Sequence, residues 1–166
     1  MPSDTCSGSG GTFTRLARTL VPSQSTTPAT NGTGMPGAAI ETIVGVVQDP
    51  SFGPLVMFGM GGTATELLGD RAFRVLPLTD VDAVELVRSI KGSPLLFGYR
   101  NTALADVAAL ESLLLRIGQL VDELPEVVEM DLNPVIASPS GAVAVDVKIR
   151  VAPYRPRPEL ALRRLR

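Results

Sequence analysis

Residues 129–148 read EMDLNPVIASPSGAVAVDVK, and this stretch decides how the chain folds. Apolar runs lie on both sides of the sequence Ser-Pro-Ser-Gly at residues 138–141, where a glycine suits the positive φ of a tight turn. Strand, turn residues and strand in this order predict a β-hairpin. We therefore expect residues 127–136 to pair with a returning strand over residues 142–147.

Acidic and amide side chains are regularly spaced on this predicted hairpin. Asp131 and Asn133 are two residues apart, and Asp146 and Lys148 have the same spacing on the returning strand, so each pair projects from one face. If these faces coincide, three oxygen-bearing side chains and one ammonium converge. Such a set suits Mg²⁺ and a phosphate group. The alternative is a turn-forming Asp-x-Asn-Pro sequence with solvated carboxylates at strand ends.

The composition limits the classes of function. The chain has 166 residues, 45% of them apolar and 19% charged, which predicts one globular domain. A net charge of −2 argues against a nucleic acid as the main partner. The sequence contains no histidine, so no histidine of this chain acts as a base, metal ligand or phosphate carrier. The single Cys6 excludes an internal disulfide and favours a reducing compartment, so we expect a cytoplasmic protein.

The two ends of the chain differ from its middle. Residues 1–39 are rich in Ser, Thr, Gly and Pro and predict a flexible leader, with a targeting peptide as the weaker alternative. Residues 151–166 are basic and interrupted by prolines, which favours a solvated tail over a short docking helix. No apolar run approaches the roughly 20 residues of a membrane span. We expect the ordered domain over residues 40–150.

The middle of the chain predicts an α+β domain. Short β-branched and apolar runs at residues 41–47, 55–58 and 72–76 predict three strands. Thr79 and Asp80 begin a helical pattern that Gly92 ends, and Asp106 precedes a longer one over residues 107–124. The order β-β-β-α-α-β-β predicts a sheet with two helices covering one face.

A glycine-rich stretch follows the second predicted strand. Gly59, Gly61 and Gly62 permit close approach of the backbone, and successive N–H groups in such a loop can hold an anion. A tight turn without a ligand explains the same glycines. The sequence of this loop leaves both interpretations open.

Four segments in consistent order resemble the ATP-grasp part of NDP-forming acyl-CoA synthetases, that is, ADP-forming acetate–CoA ligases and relatives of succinyl-CoA synthetase. They are ETIVGVVQDPSFGPLVMFGMGG (41–62), FRVLPL (73–78), LFGYR (96–100) and EMDLNP (129–134). The same module also occurs fused to GNAT-type acetyltransferases. The resemblance covers residues 41–150 and implies the C-terminal subdomain of an ATP-grasp fold, with a mixed or antiparallel sheet.

The resemblance also implies a nucleotide site that holds ATP or ADP with Mg²⁺. Asn133 and Asp146 match the positions of magnesium ligands, Asp131 lies beside them, and Lys148 matches a basic residue near the phosphates. Further matching positions, expected near the nucleotide, are Gly59, Gly61, Gly62, Glu66 and Arg74.

Two hypotheses of function follow. In the first, the chain is the ATP-binding part of an acyl-CoA ligase that converts a carboxylate, CoA and ATP into acyl-CoA, ADP and phosphate. It would be inactive alone, because the first ATP-grasp subdomain and the CoA-binding part with its phosphorylated histidine are expected on another chain. In the second, it is a non-catalytic remnant of a truncated synthetase or acetyltransferase fusion that binds nucleotide or docks a partner. The apolar surface left open also predicts homo-oligomers.

Overall fold

The computed structural model describes residues 13–15, 39–62, 69–101 and 103–154 of the chain. Within these residues, seven strands form one sheet in which every pairing is antiparallel. The strands are β1 (Phe13–Arg15), β2 (Ile40–Asp49), β3 (Gly53–Met60), β4 (Arg71–Val75), β5 (Val127–Ser138), β6 (Gly141–Ala144) and β7 (Val147–Val151). Their order across the sheet is β1-β7-β5-β2-β3-β4, and β6 pairs with β5.

Two α-helices, α1 (Asp80–Ser89) and α2 (Val107–Glu123), connect β4 to β5, with short 3-10 helices between them at Ser93–Phe97 and Tyr99–Asn101. The N–H of Asp82 donates to the Thr79 hydroxyl at 3.2 Å, and the N–H of Thr79 donates to the Asp82 carboxylate at 2.9 Å. This is a capping box, and it satisfies donors that the first turn of α1 leaves unpaired. At α2, the N–H of Ala109 donates to the Asp106 carboxylate at 3.0 Å. Both predicted helix starts are confirmed.

Both helices pack on one face of the sheet, which we call the covered face. The opposite face, which neither described helix covers, is the open face. The side chains that meet fully buried on the covered face are Val44, Val46, Val56 and Phe58 from the strands and Leu86, Val87, Leu110 and Leu114 from the helices. Burial of each such side chain is worth roughly 1.5–3 kcal/mol. The α+β class with two helices on one face is confirmed, and the sheet is antiparallel rather than mixed.

The returning half of the predicted hairpin is two strands. β6 pairs with residues 135–138 at the end of β5, and β7 pairs with residues 127–132 nearer its start. Between them the N–H of Val145 donates to the Pro134 carbonyl at 2.9 Å, and the N–H of Asn133 donates to the Asp146 carbonyl at 3.1 Å. The expectation of one continuous strand over residues 142–147 is therefore wrong. Pro134 has no N–H to continue the ladder, and the returning chain breaks opposite it.

The ends of the chain are described only in part. Residues 13–15 form β1, which pairs with β7 in the register Thr14 to Ile149 and which the sequence did not predict. The remainder of residues 1–38 and residues 155–166 lie outside the described residues, so the flexible leader and the solvated tail stay predictions. Across the described ranges, no helix is long and apolar enough to cross a membrane.

Candidate functional site

One row of residues crosses the open face from β7 to β4. Its members are direct cross-strand partners, each paired with the next: Lys148, Asp131, Gly45, Met57 and Phe73. Direct partners in an antiparallel sheet project from the same face. The residues beside this row, such as Met130, Val46 and Val56, are buried on the covered face. Alternation along the strands therefore places the row on the open face.

The predicted metal ligands lie at the β7 end of this row. Asp131 and Asn133 follow each other on the open side of β5, and both are half-buried. Asp146 lies in the break between β6 and β7, where its carbonyl accepts the N–H of Asn133 at 3.1 Å. Lys148, the direct partner of Asp131, has its Nζ 3.8 Å from Asp146 Oδ2. The structure thus brings together all four polar residues that the sequence predicts, although Asp146 lies in the break and not on a strand.

The surroundings of these side chains leave room for a ligand. The side chain of Asp146 is 26% exposed and that of Lys148 is 58% exposed. Within the described part of the chain, neither a hydrogen bond nor an ion pair engages the Asp131 carboxylate, so its charge is not used to hold the described fold together.

The donor set is that of a hard cation with an incomplete protein shell. Among the described residues, no three His, Cys, Asp or Glu side chains are grouped closely enough to hold a metal. Two carboxylates and one amide remain. Mg²⁺ takes oxygen ligands, and it usually keeps several waters and binds through one or two carboxylates together with substrate phosphates. The residues present therefore fit Mg²⁺ as part of a metal–phosphate complex rather than in an all-protein cage.

The first residues of the predicted glycine loop belong to strand β3 of the sheet. Gly59 lies within β3, and a Cβ there would stand 2.9 Å from the carbonyl oxygen of Asp70, so the close approach of the chain before β4 requires glycine. The N–H of Gly61 donates to the Glu41 carbonyl at 2.8 Å. Of the three predicted glycines, Gly62 alone has the left-handed conformation expected of a loop, with a φ of 84°. The N–H of Gly61 is thus committed to the sheet, and Glu66 lies outside the described residues.

Arg74 lies on the other side of the sheet. Its direct partner on β3 is Val56, which is fully buried on the covered face. The guanidinium is 3.5 Å from the Glu85 carboxylate on α1. It borders an open groove of about 680 Å³ whose other lining residues, among them Val81 and Arg88, all belong to α1. The structure does not bring Arg74 together with the predicted metal ligands.

The sequence analysis missed the other members of the row. Gly45, Met57 and Phe73 carry no charge, and nothing in their spacing relates them to Asp131. The neighbouring row on the open face contains a further missed contact, in which Arg150 Nε donates to the Glu129 carboxylate at 2.8 Å. An alternating acid and base pattern on paired strands is the signal that could have found this pair.

A family model for the ATP-grasp domain matches residues 28–151. The beta subunit of ADP-forming acetate–CoA ligase I from Pyrococcus furiosus is 46% identical over 109 residues, which are 66% of this chain and 47% of that subunit. ADP-forming acetate–CoA ligase II from Archaeoglobus fulgidus is 50% identical over 112 residues, which are 68% of this chain and 16% of that protein. The chain therefore spans about half the length of the first relative and about a sixth of the second.

A solved structure shares the fold. The dinucleotide-forming acetyl-coenzyme A synthetase 1 of Ca. Korarchaeum cryptofilum, in complex with coenzyme A and Mg-AMPPCP, superposes with a TM-score of 0.65 and 42% sequence identity. The similarity covers 69% of this chain and 54% of that one. In that structure a phosphohistidine segment points towards the nucleotide binding site.

Proposed function

The chain belongs to the ATP-grasp domain family, and from this premise we propose that it is the magnesium–nucleotide part of an ADP-forming acyl-CoA ligase. The overall reaction would join a carboxylate to CoA with conversion of ATP to ADP and phosphate. The observation that carries the proposal is the gathering of Asp131, Asn133, Asp146 and Lys148 on the open face. A sheet that needed these residues only for folding would not require two carboxylates, an amide and an ammonium at one place.

Each side chain has a distinct role in this proposal. Asp131, Asn133 and Asp146 would hold Mg²⁺ through their oxygen atoms, and the bound ion would neutralise phosphate charge. Lys148 would offer its ammonium to a phosphate oxygen as a point charge. Its Nζ lies 3.8 Å from Asp146 Oδ2 and its side chain is 58% exposed, so the ammonium would be able to turn to an incoming phosphate. Phosphoryl transfer depends chiefly on such positioning and charge neutralisation.

The proposal includes partners outside these residues. The chain contains no histidine, so it cannot itself supply a phosphohistidine segment like that of the Korarchaeum enzyme. We propose that such a segment reaches the open face from another polypeptide or from further sequence, together with the first ATP-grasp subdomain. The phosphoryl group would then pass from the histidine nitrogen to a terminal oxygen of ADP, and the reverse direction would use ATP.

The test is calorimetric titration of the full chain with Mg-ADP and Mg-ATP. We expect binding of about millimolar affinity or tighter that requires Mg²⁺. Asp131→Asn and Asp146→Asn should each weaken it by about tenfold or more, because each removes a charged oxygen ligand.

Asp122→Asn is the matched control, since it makes the same change in charge at an exposed position on α2. It should leave binding unchanged. Magnesium-independent binding, or equal losses in all three variants, would contradict the proposal.

A further inference from the structure

The last two turns of α2 have an exposed apolar flank. Gly118 marks the opposite flank, because a Cβ there would lie 3.2 Å from the side chain of Leu76 and 3.4 Å from that of Leu78, which follow β4. With 3.6 residues per turn, Leu120 and Leu124 project away from this β4 side and towards the β7 side of the helix. They are 36% and 50% exposed. Among the described residues, this flank therefore remains partly uncovered.

Val151, at the end of β7, adds to the same apolar surface. Its direct partner on β5 is Val127, which is buried on the covered face, so Val151 projects from that face as well. It lies beyond the part of the sheet that α2 buries, and it is 46% exposed. We call this surface the exit strip; it consists of Leu120, Leu124 and Val151.

Carboxylates border the exit strip. From residue 117 to residue 129 the sequence has four of them and no lysine or arginine. Asp122 and Glu123 lie in the last turn of α2, where the helix dipole already places partial negative charge, and Glu126 follows the helix. Within the described ranges, no lysine or arginine forms an ion pair with any of these three residues. A cationic partner would therefore be favoured at this end of the helix.

The chain passes from this surface directly into a basic segment. The N–H of Ala152 donates to the Glu126 carbonyl at 2.8 Å, and the described residues end two positions later at Tyr154. Residues 155–166 contain five arginines and one glutamate, a net charge of +4, with leucines at positions 160, 162 and 165. Twelve residues span up to about 40 Å when extended, whereas α2 is about 26 Å long. The segment can therefore reach any part of the exit strip.

We propose that residues 155–166 dock on the exit strip of the same molecule. The leucines of the segment would cover the strip, and its arginines would face the carboxylates of Asp122, Glu123 and Glu126. The composition of the segment alone predicts a solvated tail, whereas the apolar and acidic surface beside its first residue favours docking. The short connection from Ala152 keeps the segment at a high effective concentration, so contacts that are weak individually can hold it. The family model ends at residue 151, so this contact is an addition to the matched domain.

The test measures ¹⁵N backbone relaxation of the full chain by NMR, at the amides of residues 159–166. We expect order parameters in the wild type well above about 0.6, the value below which a backbone is flexible. In Glu126→Lys they should fall below about 0.6, because the new ammonium repels the arginines. Raising the salt concentration to about 1 M should lower them in the wild type as well, since it screens the attraction.

Two matched controls separate this surface from the rest of the chain. Glu111→Lys makes the same change of charge near the start of α2, and it should leave the order parameters unchanged. Leu124→Ser should lower them, whereas Leu104→Ser should not, because Leu104 is an exposed leucine that lies before α2 and outside the exit strip. The amide spectrum of each variant shows whether its fold is retained.

Three results would overturn the proposal. The first is wild-type order parameters already in the flexible range. The second is a Glu126→Lys variant whose segment stays as rigid as that of the wild type. The third is a loss of rigidity when the wild type is diluted tenfold, which would assign the exit strip to a segment from a second copy of the chain. Rigidity that is independent of concentration and lost in Glu126→Lys and Leu124→Ser alone would support docking within one molecule.

Discussion

The two faces of the sheet use similar side chains for different purposes. On the covered face, valines and leucines are fully buried beneath α1 and α2. On the open face, side chains of the same apolar kind remain between about a third and a half exposed, next to carboxylates and an ammonium. Val46 and Val47 are neighbours in β2, yet one is fully buried and the other 37% exposed. The covered face supplies the buried apolar surface that stabilises the domain, and among the described residues the open face keeps its apolar side chains partly exposed.

The largest expected difference between the faces comes from one substitution made at both valines. Val46→Ala should lower the free energy of unfolding by about 2–3 kcal/mol, since it removes buried methyl groups and leaves a cavity. Val47→Ala should lower it by less than about 1 kcal/mol. Urea unfolding of the two variants measures both values. Equal losses would mean that the open face is packed as tightly as the covered one.

A smaller effect is expected at the one buried polar residue among those described. Thr42 is fully buried, and its hydroxyl donates to the Val135 carbonyl at 3.0 Å, beside the point where the register of β2 and β5 shifts. Thr42→Val should cost about 1–2 kcal/mol, because it removes the hydrogen bond that the buried hydroxyl donates to this carbonyl. The reverse exchange, Val44→Thr, should also destabilise, since it buries a hydroxyl in apolar surroundings. If denaturant unfolding showed no loss of stability for Thr42→Val, the hydrogen bond between Thr42 and Val135 would make no net contribution to the free energy of unfolding.

The smallest expected effect is a dependence on pH on the helix side. Hydrogen bonds from the Thr79 hydroxyl and N–H hold the pKa of the Asp82 carboxyl below its ordinary value of 3.8. A carboxyl with a lowered pKa in the folded state stabilises the fold above its unfolded pKa, and this contribution is lost as the pH falls through the folded value. The stability difference between wild type and Asp82→Ala should therefore be constant near neutral pH and shrink below pH 3.8.

Thermal melting across the acid range measures this difference. Asp80→Ala is the control, because it removes a carboxylate from the same turn of α1 without breaking the capping box. If the stability difference for Asp82→Ala persisted unchanged in acid, the capping box would stabilise α1 without the negative charge of the Asp82 carboxylate.

The sequence predicts those features that depend on neighbouring residues. Thr79 and Asp82 are three residues apart, so their capping box can be recognised in the sequence. Asp106, the N-cap residue of α2, can likewise be recognised from the helical pattern that follows it. The spacing of Asp131 and Asn133 likewise implies a common face wherever they form a strand. That spacing is equally compatible with a solvated turn, and the family resemblance is what favours magnesium ligands over this alternative.

Features that depend on how distant strands pair could not be predicted. A shift of one residue in register transfers every side chain of a strand to the other face, and local sequence does not fix the register. The family resemblance groups Arg74 with residues from which the sheet separates it, and nothing in the local sequence connects Gly45, Met57 and Phe73 with Asp131. The break at Asp146 depends on Pro134, on the opposite strand, which leaves the ladder without a donor.

The break between β6 and β7 has a consequence for protein engineering. Because each of these strands pairs with its own half of β5, a loop inserted at the turn after Ser138 would lengthen the connection to β6 alone. The register that places Lys148 opposite Asp131 is set separately, on the far side of the break. A reporter group could thus be inserted at this turn, a short distance from the polar site, without changing the pairing of Lys148 with Asp131. The turn is therefore a suitable insertion point for a sensor.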